Sequence, residues 1–95
     1  MSSSPIQQRT LHLIIHGRVQ GVFFRDSMRR EAHGLGISGW VRNLGNGTVE
    51  AMVQGSSDAV ESMVRWAHHG PERAQVERVV ATPAQGAYSG FEILY

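Results

Sequence analysis

Residues 37–54 read ISGWVRNLGNGTVEAMVQ. Two strand-like runs, Ile37–Asn43 and Thr48–Gln54, flank a turn whose Gly45-Asn46-Gly47 supplies the permissive backbone of a tight hairpin. In the second run Val49, Ala51 and Val53 alternate with Thr48, Glu50, Met52 and Gln54, the period of a strand with one covered face. A helical window lies on either side of this hairpin. Upstream, Phe24, Met28, Ala32 and Leu35 form one apolar stripe within Phe23–Leu35. Asp26 stands four residues before Arg30, a spacing that suits an ion pair, and Gly36 is a stop signal. Downstream, Gly55-Ser56-Ser57-Asp58 opens a second helix that either serine can cap. Its inner stripe is Val60, Met63, Val64 and Ala67, and Gly70-Pro71 ends it.

Further out, the pattern alternates again from Arg9. Leu11, Leu13 and Ile15 face one side, with His12, Ile14 and His16 on the other. Val76–Ala81 is a further strand, and Phe91–Tyr95 a short last one with Phe91, Ile93 and Tyr95 on one face. The order is β-α-β-β-α-β plus a terminal strand. Two striped helices and several alternating strands are both satisfied by an α+β, ferredoxin-like sandwich: an antiparallel sheet with both helices on one face. Ninety-five residues, 41% hydrophobic and 18% charged, suit one domain with one core. The serine-rich stretch 1–8 is expected to be a flexible tail.

Nine basic residues against eight acidic ones leave a formal charge of +1, too weak a field to hold a nucleic-acid backbone or an acidic membrane, though ample for one small anion. There is no cysteine, which removes disulfides, thiolate catalysis and cysteine metal sites. The first residues do not have the pattern of a signal peptide, and no apolar run approaches the roughly 18 residues of a membrane span. A cytoplasmic protein is expected.

Chemistry concentrates in Gly17-Arg18-Val19-Gln20-Gly21-Val22-Phe23-Phe24-Arg25, between the first strand and the first helix. A glycine-bracketed loop entering a helix N-terminus lets backbone N–H groups converge on one electropositive point. Arg25 lies in the first helical turn, where a cation works against the helix dipole unless an anion sits between them. The glycines could equally relieve a tight connection, and Arg25 could pair with a carboxylate. Asn43, at a strand end, can orient a water or simply form the turn. His12 and His16 share a strand face and His68-His69 a helix end, but neither pair has a carboxylate at metal-site spacing.

The chain resembles the acylphosphatases. The blocks that carry the resemblance are GRVQGVFFR at 17–25, GISGWVRNLGNGTVE at 36–50, VQGSSDAVE at 53–61, GPERAQVERV at 70–79 and FEILY at 91–95. It departs at Ala51, where a larger apolar residue is common, and at Ala32–Gly34. The resemblance implies one acylphosphatase-like domain over 9–95 that hydrolyses acyl phosphates by in-line attack of water. It implies that Arg25 binds the phosphate together with the loop Gly17, Arg18, Val19, Gln20, Gly21, Val22 and Phe23. Asn43 would position the water, and the carboxylate of Tyr95 would help hold Arg25. No cofactor and no metal are implied. The expected partners are an acyl phosphate and inorganic phosphate, as product or inhibitor, with no nucleic acid and no membrane, and the default state is a monomer. Two rivals are an RNA-binding sheet face and a phosphate sensor without turnover. The acyl group itself is not legible.

Overall fold

The computed structural model describes residues 8–95. In chain order it has β1 (Gln8–Arg18), α1 (Phe24–Leu35), β2 (Ser38–Asn43), β3 (Val49–Ser56), α2 (Ser57–Ala67), β4 (Gln75–Pro83) and β5 (Phe91–Ile93). The sheet order is β4-β1-β3-β2-β5. Residue 8 lies inside β1 rather than in a tail, because Gln8 is in register with Ser56. The rest of the expected tail, 1–7, lies outside the described residues.

The alternation read from the sequence sets the two faces of the sheet. Leu11, Leu13, Ile15, Val41, Val49, Ala51 and Val53 are buried, together with Phe24, Met28 and Ala32 of α1 and Val60, Met63 and Ala67 of α2. Both helices therefore cover one face, and the Phe24 and Trp66 rings, 5.3 Å apart between centroids, join α1 to α2. Gly36, left-handed at φ 71°, closes α1 on the carbonyls of Ala32 and His33. Of the two candidate caps for α2, Ser56 is used: its hydroxyl accepts from the Ala59 N–H at 3.2 Å. On the uncovered face Glu50 accepts hydrogen bonds from His12 (2.7 Å) and Arg42 (2.6 Å). Desolvation raises the Glu50 carboxyl pKa, but these two partners outweigh it and hold the group below its ordinary value.

The sheet is not wholly antiparallel. β1 runs antiparallel to β3 and β4, and β2 antiparallel to β3, but β5 pairs parallel with β2, Gly39 opposite Phe91 and Val41 opposite Ile93. The cause is where residues 84–90 are held. Going from β4 at one edge to β5 at the other crosses four strand spacings, about 19 Å at roughly 4.8 Å each. At about 3.3–3.6 Å per residue that uses most of the available chain. β5 starts at the end where β4 stops because the crossing is bonded there at both of its ends, Ala84 to Thr10 and Gly90 to Gly39.

This crossing is stitched to the strands in the order it passes them. Ala84 N–H donates to Thr10 of β1 and Gly39 N–H of β2 donates to Gly90, with Gln54 of β3 between them. The Gln54 side chain, buried at 5% exposure, donates to Thr10 Oγ1 (2.8 Å) and the Gly86 carbonyl (2.7 Å) and accepts from the Tyr88 N–H (3.1 Å). Gln54→Leu would remove the three hydrogen bonds to Thr10, Gly86 and Tyr88, each with a net worth of roughly 0.5–1.5 kcal/mol. The expected outcome is a melting temperature lower by about 10 °C or more. A variant melting with the wild type would show that the crossing does not depend on Gln54.

Candidate active site

Strands β1, β2 and β5 all run the same way, so their C-terminal ends meet at one edge of the sheet. That edge brings together the loop after β1, Asn43 at the end of β2 and Tyr95 just beyond β5. Helix α1 packs on β2 and β5, which sets its N-terminus over the same place. A cleft of about 400 Å³ opens there, lined by Val19, Gly21, Phe23, Phe24, Arg25, Asp26, Asn43, Ile93 and Tyr95.

The loop is anchored from within. Val19 and Val22 are buried, and Gln20 donates from Nε2 to the carbonyls of Leu44 (2.8 Å) and Thr48 (2.9 Å). That side chain ties the loop to the hairpin turn that follows Asn43. Between the anchors the backbone turns outward at Gly21 and Phe23, both left-handed, at φ 74° and 62°. Phe23 precedes the first residue of α1 and brings no capping side chain. Among the described residues, the N–H groups from Gln20 to Asp26 donate to no carbonyl or side chain. An uncapped helix end beside a loop of free donors is a strong site for an anion.

Arg25 is half-buried in this first turn. Its guanidinium lies over the Tyr95 ring, 5.4 Å from the centroid, and among the described residues no carboxylate pairs with it. The expected support from the terminal carboxylate is therefore replaced by the aromatic ring. Tyr95 itself was expected on the covered face with Phe91 and Ile93, yet it is fully exposed. The reason is that pairing with β2 stops at Ile93, and Leu94 N–H closes the strand on the Val41 carbonyl. Asn43 shows the opposite imbalance to the loop: its Oδ1 is buried and has no hydrogen-bond partner. Such an acceptor, aligned on a cleft of free donors, suits a bound water or a ligand hydroxyl.

Not every loop residue reaches the cleft. Val19, Gly21 and Phe23 line it, while Gly17, Arg18, Gln20 and Val22 do not. Gly17 sits at a register shift between β1 and β4, where a Cβ would collide with the Gln75 carbonyl. Arg18 lines a separate cleft with Val22, Glu72 and Arg73 on the other side of Gly21. The histidines singled out on β1 turn to separate neighbours, His12 to Glu50 and His16 to Arg78. Sequence reading did not find the Gln20 tether or the lining by Ile93 and Asp26. Spacing along the chain carries no signal for a side chain that bridges two distant turns.

The family model for acylphosphatases matches residues 11–93. The chain belongs to the acylphosphatase family. An acylphosphatase from Thiobacillus denitrificans is 61% identical over 84 residues, covering 88% of this chain and 94% of the relative. Among solved structures, an acylphosphatase from Coxiella burnetii superposes with a TM-score of 0.88 at 36% identity, covering 92% of this chain and 93% of that one. One from Bacillus subtilis gives 0.88 at 31% identity, covering 94% and 100%. The protein is an acylphosphatase with a ferredoxin-like α+β fold.

In this acylphosphatase the Gln20 tether has a measurable consequence. Gln20→Met keeps the side-chain length and removes both donors. The two carbonyls keep their turn partners, Leu44 N–H to Thr48 and Gly47 N–H to Leu44, so only the net worth of the bonds is lost. That is roughly 1–2 kcal/mol, or a melting temperature lower by about 4–15 °C. Calorimetry on the variant checks it, and an unchanged transition would mean the loop is held by Val19 and Val22 alone.

Proposed function

We propose that the enzyme cleaves the carboxyl–phosphate bond of an acyl phosphate by in-line attack of water, with Arg25 and the loop N–H groups holding the phosphoryl group and Asn43 holding the water. The water oxygen forms the new bond to phosphorus as the bond to the acyl oxygen breaks, and the carboxylate leaves with the electron pair. A carboxylate is a weak base and needs little protonation. The water proton can pass to a phosphoryl oxygen, so no side chain has to titrate near neutrality. What remains for the protein is to place the phosphate, offset its charge and align one water.

The observation that carries this reading is the pairing of opposites within one cleft. Free N–H donors, an Arg25 without a carboxylate partner and Asn43, whose Oδ1 is buried and unpartnered, meet at one cleft. An anion satisfies the first group. A water donating to Oδ1 satisfies the second, and leaves its lone pair free to attack. The reading calls for no metal, since the positive potential is already supplied by Arg25 and the helix end. The reading also takes the enzyme to act as a monomer. A cytoplasmic setting agrees with the absence of cysteine. Neither a membrane nor a nucleic acid is needed as a partner, and the uncovered sheet face, with an ionised Glu50 near its centre, does not favour phosphodiesters.

The test separates the two roles. Arg25→Gln should lose turnover of benzoyl phosphate and inhibition by inorganic phosphate together, at roughly 2–5 kcal/mol. Asn43→Ala should lower kcat by roughly 10²–10³, in the range seen when one preorganised polar group is removed, while the phosphate inhibition constant changes little. Both are read from initial rates with and without phosphate, and again after chelation, which should leave the wild-type rate unchanged. Equal losses of turnover and phosphate inhibition in Asn43→Ala would make Asn43 a phosphate ligand or a turn residue.

A further inference from the structure

The acyl group that sequence leaves open is addressed by the mouth of the cleft. With the phosphoryl group at Arg25, the acyl chain has to emerge past Phe23, Tyr95, Ile93 and Asp26. Phe23 is 73% exposed and Tyr95 fully so, and these are two of only three large apolar side chains exposed among the described residues. Phe23 also holds a left-handed backbone, φ 62° and ψ 28°, which glycine adopts freely and phenylalanine only with strain. An exposed ring on a strained backbone stabilises nothing in the fold. Strain of that kind, kept where it lines a cleft, points to contact with a ligand.

The charges around the mouth are paired. Beyond Arg25, the charged group in the cleft is Asp26, whose carboxylate accepts from Arg29 (3.1 Å) and Arg30 (3.0 Å). The nearby arginines Arg18 and Arg73 belong to the separate cleft across Gly21. Asp26 is thus neutralised by two exposed arginines, and the charges at the mouth do not themselves select against a second anionic group on the acyl chain.

From this we infer that Phe23 and Tyr95 form an acyl-binding wall that selects acyl phosphates with an aromatic or bulky apolar acyl group over short ones. The inference rests on the proposed hydrolysis of acyl phosphates. Phe23 supplies the free ring face, while Tyr95 is already stacked against Arg25 and fixes the opposite side of the guanidinium.

The test is kcat/KM for benzoyl, acetyl and succinyl phosphate with the wild type, Phe23→Gly and Phe23→Asn. Glycine and asparagine both accept the left-handed region, so the variants keep the loop. The wild type should prefer benzoyl phosphate to acetyl phosphate. Each variant should reduce the benzoyl-to-acetyl ratio by roughly fivefold or more, mainly through KM, and Phe23→Trp should restore it. Intrinsic reactivity cancels when wild type and variant are compared on the same pair. An unchanged ratio would overturn the wall. So would a preference for succinyl phosphate that disappears in Arg18→Gln, which would move the acyl site to the Arg18–Arg73 cleft. If the wild type hydrolyses all three equally, only the wall falls. If it hydrolyses none, the proposed reaction falls with it.

Discussion

The anchoring of residues 84–90 along one end of the sheet is the constraint from which the site follows. Because this segment is bonded to Thr10 of β1 and Gly39 of β2 as it crosses one end of the sheet, β5 starts there and runs parallel to β2. Its C-terminal end then meets those of β1 and β2, and Tyr95 arrives beneath the Arg25 guanidinium. An antiparallel β5 would carry Tyr95 to the far edge and leave Arg25 without its stacking partner. Gln54 holds the crossing in place with three hydrogen bonds, one each to Thr10, Gly86 and Tyr88. A buried polar side chain on the sheet thus governs an active-site contact at the other end of β5.

At that end the local physics is a set of unfavourable choices that one anion relieves together. A helix starts without a capping side chain, its first N–H groups are unpaired, and a cation stands in its first turn. Phe23 adds backbone strain at the same spot. Each feature costs stability in the free protein. Covered by a phosphoryl group, the N–H groups and Arg25 gain charge-assisted bonds, and Arg25 then agrees with the dipole instead of opposing it. The core that sustains these costs is continuous, running from Leu13 and Ile15 through Met28 and Met63.

Most of this was legible in the sequence. The hairpin at 37–54, both helical stripes and the inward set Leu11, Leu13 and Ile15 followed from periodicity, because burial on one face leaves a period in the chain. Arg25 and Asn43 stood out by position, one entering a helix from a glycine loop and the other ending a strand, and the structure places both on one cleft. The direction of β5 was not legible, since alternation is the same read either way. Tyr95 continued the alternation of Phe91 and Ile93, yet pairing stops before it. Phe23 looked like the first helical residue, whereas it is the left-handed residue before the helix. Gln20 was expected in the phosphate-binding loop and Gln54 as a polar strand position, and neither tether was legible because their partners lie far along the chain.

The central claim is that the start of α1 and the preceding loop bind the phosphoryl group. Titrating the ¹⁵N-labelled protein with inorganic phosphate tests it directly. The account requires the largest shifts at the amides from Gly21 to Arg25, the Arg25 side-chain N–H and the Asn43 side-chain amide, saturating with one constant that matches phosphate inhibition. Shifts centred instead on Arg18 and Arg73, or none at phosphate concentrations that inhibit turnover, would contradict it.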